Sequence, residues 1–284
     1  MNSQLRGLNV CITGAGGGIG QALARGFAGE GCGLSLHEGR TAGRLPAALV
    51  EELERADVKV HRWSGDVREE AVVAKGVQEG AEVLGGLDLC IVNAGIWPAA
   101  ALPLHEQPSQ RIREVLEINL LGAMWTARAF TSALARRGPR ADGRGASLCF
   151  IGSTAGRFGE AGHAEYATTK AAMAGLVRSL KNELVQIDPY ARVNMVEPGW
   201  TVTPMARAAL DEPGTVARVV ASMPVRQLAR PEDIARAALV LSAPGLSRHV
   251  SGEILTVAGG MEGRTLWTSD QIDEDEIRAR LDRE

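Results

Sequence analysis

The stretch Val10-Cys11-Ile12-Thr13-Gly14-Ala15-Gly16-Gly17-Gly18-Ile19-Gly20 decides the fold. It starts as a short apolar run, passes through a glycine-rich turn and enters the helical pattern Ile19–Ala28. Such a turn lets the backbone approach a pyrophosphate and places that anion at a helix N-terminus. A glycine-rich turn alone is weak evidence for a nucleotide-binding site. The prediction of a dinucleotide site therefore depends on the rest of the chain.

Apolar, β-branched runs alternate with helical patterns along the chain. The predicted strands are Leu8–Thr13, Gly33–His37, Val58–Trp63, Leu87–Asn93, Ala146–Ser153, Arg192–Glu197 and Ile254–Ala258. The predicted helices are Ile19–Ala28, Leu45–Arg55, Glu69–Leu84, Ser109–Arg136, Ala164–Gln186 and Pro231–Leu241. This alternation predicts an α/β Rossmann fold, a doubly wound parallel sheet of about seven strands with helices on both faces.

The chain carries no excess of basic charge. Its formal net charge is -3 at pH 7. Nucleic acid and anionic membranes therefore receive no support as partners, and a small molecule is the expected ligand. Residues 1–8 lack the apolar core of a signal peptide, and no later run approaches the ~20 apolar residues of a membrane span. We expect a cytoplasmic protein.

The cysteines and histidines do not form metal-binding patterns. Cys11, Cys32, Cys90 and Cys149 show no Cys-x-x-Cys spacing, and three of them fall inside apolar runs. Buried, reduced thiols are therefore expected rather than disulfides. The five histidines are scattered without ligand spacing, so no metal site is predicted.

No internal repeat or linker rich in Pro, Gly or Ser marks a second domain. We predict one Rossmann-type catalytic domain over residues 1–260, with a lid segment at about residues 204–230. Residues 261–284 form a charged C-terminal extension. Leu266 and Trp267 either anchor this extension on a neighbouring subunit or belong to a frayed, solvated terminus.

A second chemical signal is the run Glu165-Tyr166-Ala167-Thr168-Thr169-Lys170. Residues four apart share a helix face, so the Lys170 ammonium is expected beside the Tyr166 phenol, where it lowers a pKa that is normally about 10. A phenol tuned in this way is a general base for alcohol chemistry. Solvated helices show this spacing by chance, so the pair gains meaning only together with the glycine turn.

From near Leu5 to about Gly260, the chain resembles the short-chain dehydrogenase/reductase family. The matching residues are Thr13-Gly14-x-x-x-Gly18-Ile19-Gly20, Asp66-Val67, Asn93-Ala94-Gly95, Asn119, Ser153, Tyr166-x-x-x-Lys170, Asn194 and Pro198-Gly199. Their order and spacing together are highly specific. The resemblance implies an NAD(P)-dependent oxidoreductase that interconverts a secondary alcohol and a ketone by hydride transfer. It also implies a homo-oligomer, a dimer or tetramer formed through the helices Ser109–Arg136 and Ala164–Gln186.

The resemblance implies catalytic roles for four side chains. Tyr166 is the implied general acid/base, and Ser153 orients and polarises the substrate oxygen. Lys170 stabilises the tyrosinate and holds the nicotinamide ribose, and Asn119 holds a water that relays protons. The alternatives are that Ser153 is a strand-end hydroxyl and Asn119 a locally bonded helix residue. Asn194 is expected to tie active-site elements together.

The same resemblance implies the contacts to the cofactor. Asp66 and the backbone of Val67 hold the adenine, while Asn93-Ala94-Gly95 shapes the floor under the cofactor. The segment Pro198–Thr203 resembles the one that wraps the nicotinamide carboxamide and the pyrophosphate. The expected cofactor contacts are Gly14, Gly18, Ile19, Gly20, Glu38, Asp66, Val67, Asn93, Ala94, Gly95, Tyr166, Lys170, Pro198, Gly199, Thr201 and Thr203. Thr203 is alternatively a helix N-cap before Pro204.

The end of the second predicted strand bears on the choice of cofactor. Glu38 falls where a carboxylate accepts hydrogen bonds from the adenosine ribose and repels a 2′-phosphate, which favours NAD(H). With one inserted residue in the alignment, Arg40 instead reaches the position that grips the phosphate of NADP(H). The glycine turn offers no second basic residue. NAD(H) is favoured and NADP(H) stays open.

The substrate pocket is expected to be lined by Ile96, Trp97, Arg157, Phe158, His163, Trp200 and the lid segment. The aromatic side chains suggest an apolar or cyclic substrate, although they serve equally as plain walls. Arg157 and His163 either bind a polar substituent or, as we favour, are locally satisfied side chains.

Two other classes of protein compete with an alcohol dehydrogenase. A sugar-nucleotide epimerase or dehydratase also uses Tyr-x-x-x-Lys, but its glycine spacing differs from Gly14-x-x-x-Gly18-x-Gly20 and its C-terminal substrate region is larger. A catalytically silent dinucleotide sensor would tolerate the loss of Ser153, Tyr166 or Lys170. None of the three is lost.

Overall fold

The computed structural model describes residues 2–40, 45–263 and 267–282. Among them, seven strands form one parallel sheet: β1 (Asn9–Ile12), β2 (Gly33–His37), β3 (Val60–Trp63), β4 (Leu89–Val92), β5 (Ser147–Ile151), β6 (Arg192–Pro198) and β7 (Ile254–Val257). Their order is β3-β2-β1-β4-β5-β6-β7. The predicted doubly wound sheet is confirmed. The chain reverses its direction of winding between β1 and β4, where such sheets bind ligands.

Helices connect and cover the strands. In chain order they are α1 (Gly18–Gly29), α2 (Ala47–Arg55), α3 (Glu70–Leu84), α4 (Ser109–Leu116), α5 (Gly122–Arg137), α6 (Thr154–Phe158), α7 (Ala164–Leu184), α8 (Pro204–Leu210), α9 (Thr215–Val220), α10 (Pro231–Ser242), α11 (Pro244–Ser247) and α12 (Glu274–Asp282). Every predicted strand and helix is present, with its ends shifted by a few residues.

The apolar strands are explained by burial on both faces of the sheet. One core packs α1, α2 and α10 against the strands around Phe27. The other packs α3, α5 and α7 around Phe130. Strands enclosed on both sides are expected to be continuously apolar, as β4 is throughout and as β1 and β5 are after their first residue. All four cysteines are buried free thiols, as predicted.

The long predicted helix Ser109–Arg136 is interrupted. A π-helical turn, Glu117–Leu121, separates α4 from α5 and contains Asn119. Turns of this type often occur at functional sites. Hydrophobic periodicity does not reveal the interruption, because the residues on both sides keep a helical pattern.

The C-terminal extension folds onto the lid segment of its own chain, and its frayed alternative is not observed within residues 267–282. Trp267 donates from its backbone nitrogen to the Ala221 carbonyl at 3.0 Å and from Nε1 to the Met223 carbonyl at 2.7 Å. The Arg226 guanidinium lies 3.7 Å from the centre of the indole ring. Leu266, the other predicted anchor, lies outside the described residues. None of the helices that the structure describes is long and apolar enough to cross a membrane.

Candidate active site

A cavity of about 740 Å³ opens at the carboxyl ends of the strands. Its lining contains every residue predicted for catalysis or cofactor binding except Asn119, which is fully buried behind it. The cavity therefore brings together residues that are spread along the chain: Gly14, Gly18, Ile19, Gly20, Glu38, Asp66, Val67, Asn93, Ala94, Gly95, Ser153, Tyr166, Lys170, Pro198, Gly199, Thr201 and Thr203.

The glycine turn is shaped by the absence of side chains. Gly14 has φ +68°, and a Cβ there would stand 2.8 Å from the Ala94 Cα. A Cβ on Gly20 would clash with the Gly14 carbonyl oxygen, and one on Gly18 would stand 3.0 Å from the Thr203 side chain. The N-terminus of α1 thus presents bare backbone to the cavity, which is the surface that a pyrophosphate requires. The residues present fit a dinucleotide.

Hydrogen bonds fasten this turn to β2 and β4. Asn93 Nδ2 donates to the carbonyls of Thr13 and Gly14 at 3.0 and 3.1 Å. From β2, His37 Nδ1 accepts from the Gly14 nitrogen at 3.2 Å, while its Nε2 donates to the Gly65 carbonyl at 3.0 Å. Burial lowers the pKa of His37, so the neutral ring keeps this acceptor. The sequence reasoning did not identify His37 as a support of the turn.

The adenosine end of the cavity carries two paired carboxylates. Asp66 accepts from the Arg68 side chain at 2.6 Å and from its backbone nitrogen at 3.0 Å, and these bonds lower the pKa of Asp66. Glu38 is buried and forms an ion pair with Arg62 of β3. Arg40 is exposed at the rim of the same cavity. Sequence reasoning missed Arg62, because only strand pairing brings it beside β2.

Ser153, Tyr166 and Lys170 meet at the other end of the cavity. Ser153 caps α6 by accepting from the Ala155 nitrogen at 3.1 Å, and its hydroxyl also hydrogen-bonds Tyr166. Lys170 Nζ lies 5.8 Å from the centre of the Tyr166 ring and donates to the Ile151 carbonyl at 2.9 Å. Helix α7 presents both side chains on one face, as their spacing of four predicted.

The pKa values differ from the sequence-based expectation. Burial raises the pKa of Tyr166 to about 12, although the bond from Ser153 acts in the opposite direction. Burial also lowers the pKa of Lys170 to about 8. The lowering of the Tyr166 pKa that the sequence predicted from Lys170 is not observed, because the cost of placing a phenolate in a poorly solvated site dominates.

Asn119 is locked to the chain that follows β4. Its Oδ1 accepts from the Ile96 nitrogen at 2.8 Å, and its Nδ2 donates to the Ile96 carbonyl at 2.8 Å. A Cβ on Gly95 would stand 3.2 Å from Asn119 Oδ1 and 3.6 Å from Lys170 Nζ, so a larger residue there would require the Asn119 carboxamide to shift by a few tenths of an ångström. Asn194 plays a similar part, because it bridges the Val250 carbonyl and the Glu253 nitrogen at 2.9 and 3.0 Å.

The segment after β6 closes the cavity over the glycine turn. Thr203 caps α8 by accepting from the Ala206 nitrogen at 3.3 Å, which is the alternative role considered for it, and it also touches the site of Gly18. Thr201 Oγ1 donates to the Gly199 carbonyl at 3.0 Å.

The substrate end of the cavity differs in part from the expectation. Ile96, Trp97 and Trp200 line it, whereas Arg157, Phe158 and His163 do not. Arg157 is paired with Glu197 at 2.8 Å and is locally satisfied. His163 is buried against Trp97, where Nε2 bonds the Pro98 carbonyl at 2.9 Å and Nδ1 has no hydrogen-bond partner among the described residues. Phe158 instead lies next to Gly263.

Glu160 and Met261 are among the lining residues that the sequence did not predict. The sequence signal for Glu160 is its position between Ser153 and Tyr166 in the chain, whereas nothing in the sequence places Met261 at the cavity.

Comparison with known proteins identifies the family of this chain. Residues 8–214 match the family model described as short chain dehydrogenase. Cis-4-hydroxycyclohexanecarboxylate dehydrogenase of Sinomonas cyclohexanicum is 35% identical over 88% of this chain and 94% of its own length. 1,2-Dihydroxy-1,2-dihydronaphthalene dehydrogenase of Pseudomonas putida is 28% identical over 89% of this chain and 96% of its own. A 7α-hydroxysteroid dehydrogenase structure with NADH and a 7-oxo bile acid has a TM-score of 0.81 at 27% identity, covering 93% of this chain and 98% of that one.

The fold and the cavity define an NAD(P)-dependent oxidoreductase that acts on the CH–OH group of an alcohol. The chain belongs to the short-chain dehydrogenase family.

Proposed function

We propose that this enzyme interconverts a secondary alcohol on a ring and the corresponding ketone, with Tyr166 as the general acid/base. The observation that carries the proposal is the convergence of the Ser153 hydroxyl, the Tyr166 phenol and the Lys170 ammonium on one cavity beneath the glycine turn. When bound, the nicotinamide ring supplies hydride acceptance or donation. Tyr166 takes the hydroxyl proton during oxidation and returns it during reduction.

Ser153 and Lys170 support this proton transfer. The Ser153 hydroxyl, fixed at the start of α6, holds the substrate oxygen beside the Tyr166 phenol and stabilises negative charge there. Lys170 favours the phenolate by its charge and holds the ribose next to the nicotinamide. Because burial keeps Tyr166 protonated at neutral pH, the unliganded site is set for proton donation, and oxidation requires that phenol to ionise.

Asn119 acts on the site through its backbone neighbours. The oxygen and the nitrogen of its carboxamide both form hydrogen bonds with the Ile96 backbone. The Asn119 side chain therefore positions the loop that carries Gly95 and forms part of the cavity wall. A proton relay through a bound water would have to use the Asn119 main chain. We propose Asn119 as a positioning residue.

We also propose the dinucleotide contacts and a preference for NAD(H). The supporting features are the bare backbone at Gly14, Gly18 and Gly20 and the carboxylates of Asp66 and Glu38 along the cavity. The remaining contacts proposed are Ile19, Val67, Asn93, Ala94, Gly95, Tyr166, Lys170, Pro198, Gly199, Thr201 and Thr203. Glu38 would repel a 2′-phosphate, while its pairing with Arg62 and the nearness of Arg40 reduce that repulsion.

An assay of NADH or NADPH formation at 340 nm tests reaction and cofactor together. We expect ring alcohols to be oxidised with NAD at a kcat/KM at least about tenfold above that with NADP. Glu38→Gln should narrow this ratio, and Arg40→Ala should widen it. Equal use of both cofactors by all three proteins would contradict the cofactor proposal. Absence of any alcohol or ketone turnover would contradict the reaction.

Two relatives point to different substituents on the ring. One acts on a hydroxycyclohexane that carries a carboxylate, and the other on a ring with two neighbouring hydroxyl groups. A hydroxylated six-membered ring is the feature that they share, and we propose it as the core of the substrate. Trp97 and Trp200 line the cavity where such a ring would pack.

We further propose a cytoplasmic homo-oligomer, a dimer or tetramer. Support comes from the partly exposed apolar side chains Leu121 and Met124 at the start of α5, one of the helices named for the interface. Sedimentation of a stable monomer at working concentration would contradict the oligomer.

A further inference from the structure

One carboxylate on the cavity wall has no part in the mechanism proposed above. Glu160 follows α6 and lines the same cavity as Ser153 and Tyr166. Its side chain is 26% exposed, so it is largely enclosed and still accessible from the cavity. Its charge also raises the pKa of the Tyr166 phenol, which lines the same cavity.

Glu160 is anchored through one of its two carboxylate oxygens. Trp97 Nε1 donates to Glu160 Oε1 at 3.1 Å, and His163 Nδ1 lies 3.5 Å from the same oxygen. The imidazole is itself fixed, because Nε2 donates to the Pro98 carbonyl at 2.9 Å and the ring stacks on Trp97 at 4.8 Å between centroids. Among the described residues, no hydrogen bond uses Glu160 Oε2. One oxygen anchors the carboxylate, and the other is available to a ligand.

The surroundings of Glu160 suit a ring with polar substituents. Trp97 and Trp200 meet edge to face with centroids 6.1 Å apart, and Met205 and Met261 complete the apolar wall. Ring carbons pack well on such a wall, while a carboxylate among them accepts hydrogen bonds from a hydroxyl group. A carboxylate of the substrate would instead meet a like charge and be rejected.

We propose that Glu160 Oε2 accepts a hydrogen bond from a second hydroxyl group of the substrate, so that the enzyme selects cyclic diols and polyols over monoalcohols and hydroxy acids. This inference rests on the proposed function, because it assumes that the first hydroxyl group lies at Tyr166 and Ser153. Glu160 is then the residue that determines specificity, and Trp97 and His163 position it.

Three ring alcohols of similar size test this proposal. The probes are cis-cyclohexane-1,2-diol, cyclohexanol and cis-4-hydroxycyclohexanecarboxylate, each assayed with NAD at 340 nm. We expect the wild type to favour the diol over cyclohexanol at least about tenfold in kcat/KM, and Glu160→Gln to reduce that ratio about tenfold. The same variant should raise the relative rate with the hydroxy acid. Glu183→Gln, which changes an exposed carboxylate on α7, should behave as the wild type.

The Glu160 charge also affects Tyr166, and this effect changes kcat/KM for all three substrates alike. It therefore cancels in the ratio of kcat/KM values between two substrates. A diol preference that is absent in the wild type, or that is unchanged in Glu160→Gln, would overturn the inference and leave the proposed function standing. No oxidation of any ring alcohol would count against the proposed function itself.

A binding measurement separates these outcomes further. Calorimetric titration of the three compounds into Tyr166→Phe saturated with NAD should give the affinity order diol, cyclohexanol, hydroxy acid. Adding Glu160→Gln to that background should remove the preference for the diol. The same affinity order in both proteins would overturn the inference even if no turnover were detected.

Discussion

The carboxyl edge of the sheet and the lid with its extension are stabilised in different ways. At the edge, backbone and side-chain bonds between neighbouring strands set the positions of the reactive groups, as when Asn93 ties β4 to the turn at Gly14. The lid is held by apolar packing between segments outside the sheet, with Ile277 of α12 buried against α8 and α9. The chemistry is thus attached to a rigid sheet, whereas access to it depends on a separately packed unit.

The extension contacts the lid at several points besides Trp267. Glu274 Oε1 accepts from the Ala217 nitrogen at 2.9 Å at the start of α9. Arg278 donates to the Leu210 carbonyl at 3.3 Å at the end of α8. Met261, the first residue of the extension, lines the cavity, as Met205 of α8 does. Loss of packing in the extension is therefore expected to change substrate binding more than cofactor binding.

The largest effect is expected at the edge, in Tyr166→Phe. Removing the general acid/base should lower kcat by about 10³-fold, within the usual range for such groups, while NADH affinity changes little. The chain has one other tyrosine, Tyr190, which is 62% exposed. Steady-state rates of Tyr190→Phe should match the wild type. Comparable kcat values for the two variants would remove Tyr166 from the mechanism.

A glycine variant tests whether backbone alone forms the cofactor cradle. In Gly20→Ala the new Cβ clashes with the Gly14 carbonyl oxygen, so the turn must shift, and we expect NADH affinity to fall by about 100-fold or more. Gly29→Ala, at the other end of α1, has no atom within 4 Å of the new Cβ. That control should bind NADH normally and be up to about 1 kcal/mol more stable. Equal NADH affinities, measured by fluorescence titration, would contradict this account of the turn.

In the lid and its extension, the variant Ile277→Ala tests how much the packing between the two segments contributes. A buried isoleucine contributes about 2–5 kcal/mol of packing, so its truncation should release α12 from the lid. We expect the KM for the alcohol to rise severalfold, NADH affinity to stay within about twofold, and amides of Val216–Val220 to exchange faster with deuterium. Val240→Ala, at a half-exposed position of α10, is the control. Unchanged exchange in Ile277→Ala would show that the extension does not restrain the lid.

The smallest expected effect is the contribution of Lys170 to stability. Its folded-state pKa of about 8 lies below its ordinary value of 10.5, so the unfolded chain binds more protons between these values and stability rises with pH there. Relative to Lys170→Met, the wild type without cofactor should gain about 1 kcal/mol between pH 8 and 9, measured by urea unfolding. A difference that stays constant with pH would mean that Lys170 remains charged in the folded protein.

The edge was predictable from sequence because its residues recur at fixed positions relative to the strands. The glycine turn, Asn93, Ser153 and the pair Tyr166 and Lys170 each follow or face a strand end. Strand pairing then brings them together without further information.

Pairings across the fold were not predictable in this way. Glu38 with Arg62 and Glu160 with Trp97 join residues from separate elements, and no local pattern records either contact. The rise in the Tyr166 pKa was not predicted for a related reason. The spacing of residues shows which charge is near the phenol, but it does not show how deeply the phenol is buried.

The extension escaped prediction because its sequence is mostly charged. Few of its residues are apolar, and Trp267 and Ile277 are too far apart to form a periodic pattern. The division into a catalytic domain of residues 1–260 and an extension of residues 261–284 stays a prediction, which the exchange behaviour of Ile277→Ala also tests.

The position of the dinucleotide, with its reactive end at Tyr166, is the feature on which the proposed reaction depends. It can be observed in a crystal structure of the wild-type enzyme with NADH. We expect adenine beside Asp66, the pyrophosphate over the turn from Gly14 to Gly20, and the nicotinamide ring facing Tyr166 with its ribose on Lys170. A nicotinamide ring bound away from Tyr166 and Lys170 would contradict this expectation.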